Sequence, residues 1–267
     1  MPPSPPPYPV PAGTKPAVPD RVERALWFGS PARALVLVAD RTDPYAGWLR
    51  AVALLAVGEY AAAERTAAEV TGEYAALAAA TRASAARQQH RYAAARELDR
   101  RALGGDLEAR ADGLVGLTAD AVGLGELGEA ADRLAELDRI TEAAGWRAGI
   151  RRDWVACELA LASDRPADAS EAAERALRRS RCVAAPRHLA KSLLFCGVSW
   201  REVARRTGDV PKFRAAAAIL SAAERLGRAI GAEPLASVAY RVRQDAVREV
   251  AEVADSVAQN TSVKIVS

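Results

Sequence analysis

The chain has 267 residues, half of them hydrophobic but only 5% aromatic, and a formal charge of +3. No stretch reaches the roughly 18 uninterrupted apolar residues of a membrane span, and no charged-then-apolar leader opens the chain, so the cytoplasm is the expected compartment. Alanine fills roughly a quarter of the sequence, far above average usage, and β-branched runs are few, which predicts many thin, tightly packed helices and leaves little for a sheet.

Thirty-three of the 37 basic residues are arginine, an Ala/Arg bias of the kind GC-rich coding gives, as in actinobacteria. Charge is uneven: residues 23–138 carry −5 and residues 139–214 carry +7, so a dipolar surface is expected. Cys157, Cys182 and Cys196 show no C-x-x-C spacing and read as buried free thiols.

Residues 1–20 hold nine prolines and are expected to form a disordered, polyproline-II-like tail. Residues 21–257 are expected to be one helical domain, and residues 258–267 a flexible C-terminal tail. Ser30-Pro31 caps a helix over 32–40. Asp43-Pro44 opens one over 45–57, and Gly58-Glu59 turns into 60–70. Further helices are predicted over 73–89, 92–103, 107–124, 127–144, 150–162, 166–180, 186–206, 211–230 and up to 257, separated by Gly, Pro or Asp signals.

The turns recur every 32 to 39 residues. Gly58-Glu59, His90-Arg91, Gly125-Glu126 and Asp164-Arg165 are each followed by a small residue five positions after the turn begins: Ala63, Ala95, Ala130 and Ala169. Further residues follow at four and seven more, which is one helix face. This pattern resembles the tetratricopeptide (TPR) repeats, in which a turn of Gly-Asp-Tyr type precedes an alanine where two helices cross. The resemblance covers residues 44–180 best. The closing segment AERLGRAIGAEPLASVAYRVRQ resembles the last repeats of degenerate TPR arrays attached to large bacterial transcription activators. The aromatic near the start of each repeat is missing from most, and the spacing varies.

The resemblance implies an all-α, right-handed α-solenoid of about six antiparallel helix hairpins, each burying its neighbour's open face. It also implies a concave groove lined by the first helix of each pair. On that register Trp48, Arg87, Gln88, Arg151 and Trp154 are the expected partner-binding residues. The five tryptophans otherwise read as core.

Chemistry was sought in the remaining residues. Cys182, His188 and Cys196 lack the short local spacing of a zinc site, and no third group would orient a Cys–His nucleophile, so they read as buried thiols and a surface histidine. Gly123, Gly125 and Gly128 spell a G-x-G-x-x-G, but between helices, where it breaks a helix and cradles no phosphate. Asp168/Glu171 and Glu249/Glu252 read as solvated charge. No catalytic, metal or cofactor-binding residue is expected, and no enzyme. The expected function is a protein–protein interaction module, an adaptor or regulatory scaffold, binding a peptide or helix. The alternative is a DNA-associated transcription regulator, because Ser199–Ala216 resembles a helix-turn-helix with Arg201, Arg205, Arg206, Lys212 and Arg214 near the phosphates.

Overall fold

A computed structural model describes residues 20–265, with side chains through Glu252. The proline-rich segment read as a disordered tail lies, apart from Asp20, outside the described residues. The described residues form thirteen α-helices, one 3₁₀ turn and no strand. The helices are α1 (Arg21–Phe28), α2 (Pro31–Val38), α3 (Pro44–Val57), α4 (Tyr60–Ala68), α5 (Ala75–Gln88), α6 (Tyr92–Ala102) and α7 (Leu107–Gly123). They continue with α8 (Leu127–Ile140), α9 (Trp146–Ala162), α10 (Pro166–Val183), α11 (Pro186–Thr207), α12 (Val210–Ala229) and α13 (Glu233–Ile265). The 3₁₀ turn is Gly72–Tyr74.

Local chemistry sets the boundaries. Asp20, Asp43, Asp106 and Asp209 each accept a hydrogen bond from the amide three residues on, which satisfies an otherwise orphaned donor. Proline stands in the first turn of α2, α3, α10, α11 and α12, where its missing N–H costs nothing. The four aligned turns share one geometry. Gly58, His90, Gly125 and Asp164 all have positive φ, at 97°, 59°, 78° and 61°. The next amide then donates back to the carbonyl five residues earlier: Glu59 to Leu54, Arg91 to Ala86, Glu126 to Ala121 and Arg165 to Ala160, at 2.8–3.0 Å. His90 and Asp164 adopt this backbone against the cost a Cβ imposes, so the turn is enforced by the packing on either side of it. Ala63, Ala95, Ala130 and Ala169 follow, and all four are fully buried. A larger side chain would hold the paired helices apart.

The helices sort into two layers. Consecutive helices pack on each other, and the odd-numbered ones also touch in series: α1–α3, α3–α5, α5–α7, α7–α9, α9–α11 and α11–α13. The even-numbered helices touch only their sequence neighbours. The odd-numbered layer is therefore the crowded, inner one. It closes on itself, since α1 also touches α11 and α3 touches α13. Ser30 Oγ donates to the Ile230 carbonyl at 2.9 Å across this closure.

Residues 21–28, expected within the helical domain but given no element, form a helix of their own signalled by the Asp20 cap, and two expectations are corrected. Helix α9 begins at Trp146, not 150: Gly145, with φ of 92°, makes the break, while Gly149 lies inside the helix, a Cβ there meeting Arg179 at 3.1 Å. Helix α13 extends to Ile265, through most of the stretch expected as a tail.

Candidate functional site

The inner layer is built around α1. Trp27 packs its ring 6.4 Å from Trp48 of α3 and 6.1 Å from His188 of α11, with the Arg147 guanidinium of α9 stacked 4.2 Å over it. Glu23 accepts a 2.6 Å hydrogen bond from the Tyr45 hydroxyl. Phe28 meets Trp146 at 5.9 Å, so α1 joins a core on α3 to a second one spanning α9–α13.

This arrangement encloses much of what the repeat register would expose. Trp48 is 1% exposed, in an aromatic cluster with Trp27, Tyr45 and Tyr74. Trp154 is 4% exposed; its Nε1 donates to Ser192 Oγ at 2.9 Å, and its ring stacks on His188 and Phe195. Both indoles are core side chains. Their spacing places them on the inner face, but that face is covered by α1 and α11.

The two arginines expected to be exposed are held by carboxylates. The Arg87 side chain is 15% exposed; its Nε donates to Asp120 at 2.7 Å and its Nη2 to Asp99. Burial, then Asp120, pushes the Asp99 carboxyl well up, with Arg87 opposing; burial also raises Asp120. Arg151, 16% exposed, pairs with Asp112 of α7, and burial lowers its guanidinium. Arg147 pairs with Glu108 and, at 3.2 Å, with Asp112. Gln88 alone of the five is exposed, at the end of α5.

His188 is not on the surface. It is buried among Trp27, Trp146 and Trp154, and desolvation followed by Arg187 and Arg147 holds its imidazole well below the ordinary histidine value, hence neutral. Its Nδ1 has no hydrogen-bond partner. Cys157 and Cys196 are buried as expected, but Cys182 is exposed. Among the described residues no group of three or more His, Cys, Asp or Glu is placed to hold a metal ion, and no helix is long and apolar enough to cross a membrane.

Two residues outside the expected set stand apart. Arg187 and Lys191, one turn apart on α11, are half-buried and make no hydrogen bond or ion pair. Desolvation, then repulsion from Arg151 and Arg147, lowers Arg187 to about 10. Desolvation lowers Lys191 to about 8, with Glu158 opposing. The signal was available in the sequence: two cations at i, i+4 in the first turns of a helix whose neighbours are apolar. A surface cleft of about 520 Å³, lined by Asp43, Pro44, Tyr45, Thr71, Gly72, Glu73 and Tyr74, holds none of these cations.

The helix-turn-helix-like segment forms the end of α11, the Gly208 turn and the start of α12. Three of its basic residues face acids of this chain, while Lys212 and Arg214 make no ion pair. Arg201 makes a bidentate pair with Glu249 at 2.7 Å, Arg205 pairs with Glu202 and Glu249, and Arg206 pairs with Asp164 and Glu202.

No family model matches the chain, and a search of curated proteins finds no match either.

Proposed function

We propose that the chain is a non-enzymatic protein–protein interaction module, an adaptor or regulatory scaffold of TPR-like type. In this reading it is a right-handed α-solenoid of about six hairpins that takes a peptide or helix against its odd-numbered helices. The observation that carries the reading is the recurrence of one turn at Gly58, His90, Gly125 and Asp164, each followed by a buried crossing alanine. Repeats so built set rigid helices side by side, and because α1 and α11 cover the inner face at Trp48 and Trp154, a ligand would lie along the part of that layer they leave open. With Trp48 and Trp154 enclosed, Gln88, Arg187 and Lys191 are among the side chains on these helices that a partner could meet.

The DNA reading has less support, because Arg201, Arg205 and Arg206 are already neutralised within the chain, and a phosphate would have to displace their carboxylates.

The test is site-specific photo-crosslinking. A photoreactive residue replaces Gln88 on α5 or Asp132 on the outer helix α8, and proteins bound from the source cell are identified. A specific partner should crosslink through position 88 and not 132. A partner captured equally or better from 132 would reject the inner surface.

A further inference from the structure

The surface cleft of about 520 Å³ lies where the first turn of α3 meets the 3₁₀ turn that leads into α5. Tyr45 and Tyr74 are its buried base, with ring centroids 5.0 Å apart. Asp43, Pro44, Thr71, Gly72 and Glu73 form an exposed rim. A Cβ on Gly72 would meet nothing within 4 Å, so the rim is open there.

The cleft is also acidic. Burial raises the Tyr74 hydroxyl, and the carboxylates of Glu73, Asp106, Asp43 and Glu23 raise it further, so four acids act on one ring. Asp43 is held by Arg41, but Glu73 is exposed and makes no ion pair. An aromatic base beside an acidic rim is the chemistry that takes a proline-rich segment with a basic residue in it. Proline rings pack on aromatic side chains, the polyproline-II form is ordered before it binds, and the cation meets the rim.

This chain carries such a segment. Residues 1–19 contain nine prolines, and Lys15 is their one charged side chain. They lead into Asp20, whose carboxylate is bonded to the Arg41 guanidinium, and the same guanidinium holds Asp43 on the rim of the cleft. The segment therefore joins the fold one side chain away from the cleft. Lys15 precedes Asp20 by five residues, a reach of up to about 15 Å at the polyproline-II rise.

We infer that this cleft is the docking site of the chain's own residues 1–19, with prolines over the Tyr45–Tyr74 base and Lys15 beside Glu73. Attachment at Asp20 gives the segment an effective concentration on the order of millimolar, which favours it over a second copy or a separate chain of equal intrinsic affinity. Docked in this way it shields the cleft, and a proline-rich segment of another protein has to displace it. Such docking needs no ligand on the odd-numbered helices.

The experiment is photo-crosslinking of the full chain with a photoreactive residue in place of Ala12, the products being mapped by mass spectrometry. An equal mixture of isotopically labelled and unlabelled chains separates capture within one chain from capture between copies. Crosslinks should fall on residues 43–45 and 71–74 of the same chain. Lys15→Glu or Glu73→Lys should each lower the yield roughly threefold, the scale of an exposed pair made repulsive, and the double variant should recover it. Glu73 is exposed, so its replacement leaves the core intact and the circular dichroism spectrum should not change. Crosslinks that fall elsewhere, or that join labelled to unlabelled chains, overturn the inference. So does a yield that ignores both single charge reversals, or one that stays low in the double variant.

Discussion

Replacing Arg87 by methionine should be among the most damaging single changes in this chain, although arginine is ordinarily a surface residue. Arg87 of α5 is shared between Asp99 of α6 and Asp120 of α7, and both carboxylates are buried. Asp99 lies so close to α7 that a Cβ on Gly116 would overlap its carboxylate, and both acids are shut away from solvent. Removing one partner of a buried ion pair costs about 3–5 kcal/mol. At roughly 2–4 °C per kcal/mol for a domain of this size, the melting temperature should fall by about 6–20 °C at pH 7. The pH dependence gives a second reading of the same mechanism. Both carboxyls titrate above their ordinary value in the folded chain, so they favour the folded state below the unfolded pKa and lose that contribution as pH rises through the folded values. Without Arg87 those values rise further, so the penalty should shrink between pH 7 and pH 5. Asp99→Asn is the matched control: it leaves one guanidinium on one carboxylate and should stay within about 1 kcal/mol of wild type. The assay is circular dichroism at 222 nm during thermal and urea unfolding at both pH values. A loss under about 1 kcal/mol for Arg87→Met, or a loss equal at pH 7 and pH 5, would refute the reasoning.

Other consequences follow from the packing and the buried charges. Ala95→Leu or Ala130→Leu should overpack a helix crossing and cost roughly 1–3 kcal/mol, and melting within a degree of wild type would place those alanines outside the contact. Lys191 has a folded pKa of about 8, below its ordinary value, in a setting that includes Glu158, Arg187, Arg151 and Arg87. The unfolded chain therefore holds this proton more tightly, and wild-type stability should rise relative to Lys191→Met between pH 8 and pH 10, as urea midpoints would show. Cys182, exposed, should react with a thiol reagent in the native chain, while Cys157 and Cys196 should wait for unfolding, since burial raises both thiols, Cys196 to about 12. Labelling of all three at one rate would contradict that burial.

The local part of this fold was legible because it is written in short-range chemistry. Gly58, Gly125 and the Asp-Pro and Ser-Pro pairs mark turns whose geometry depends on a few neighbouring residues. Ala63, Ala95, Ala130 and Ala169 mark a crossing face by spacing alone, and they are buried as that spacing requires. What was not legible is the closure of the inner layer. No local pattern says that Trp27 will lie beside His188, 161 positions away in the sequence. Without that contact Trp48 and Trp154 look like groove residues, and Arg87 and Arg151 look so because their carboxylates lie on neighbouring helices. Helix α1 is short, and its Asp20 cap with Glu23 three residues on was the available clue. His188 reads as a surface residue for the same reason, because its aromatic surroundings come from α1 and α9. The pairing of Arg201 with Glu249 likewise joins α11 to α13, and the local resemblance to a DNA-reading hairpin carries no trace of it.

The buried charges also bear on how alanine-rich helices find their neighbours. Small-residue faces pack closely, but one such face resembles the next, and apolar contact alone discriminates weakly between sliding registers. An ion pair does discriminate, because a one-turn slip leaves a desolvated charge on each side. Arg87 ties α5 to α6 and α7, Arg147 and Arg151 tie α9 to α7, and Arg201 ties α11 to α13. Apart from Arg87–Asp99, which lies within the α5–α6 hairpin, each link joins helices that the crossing alanines alone would not identify.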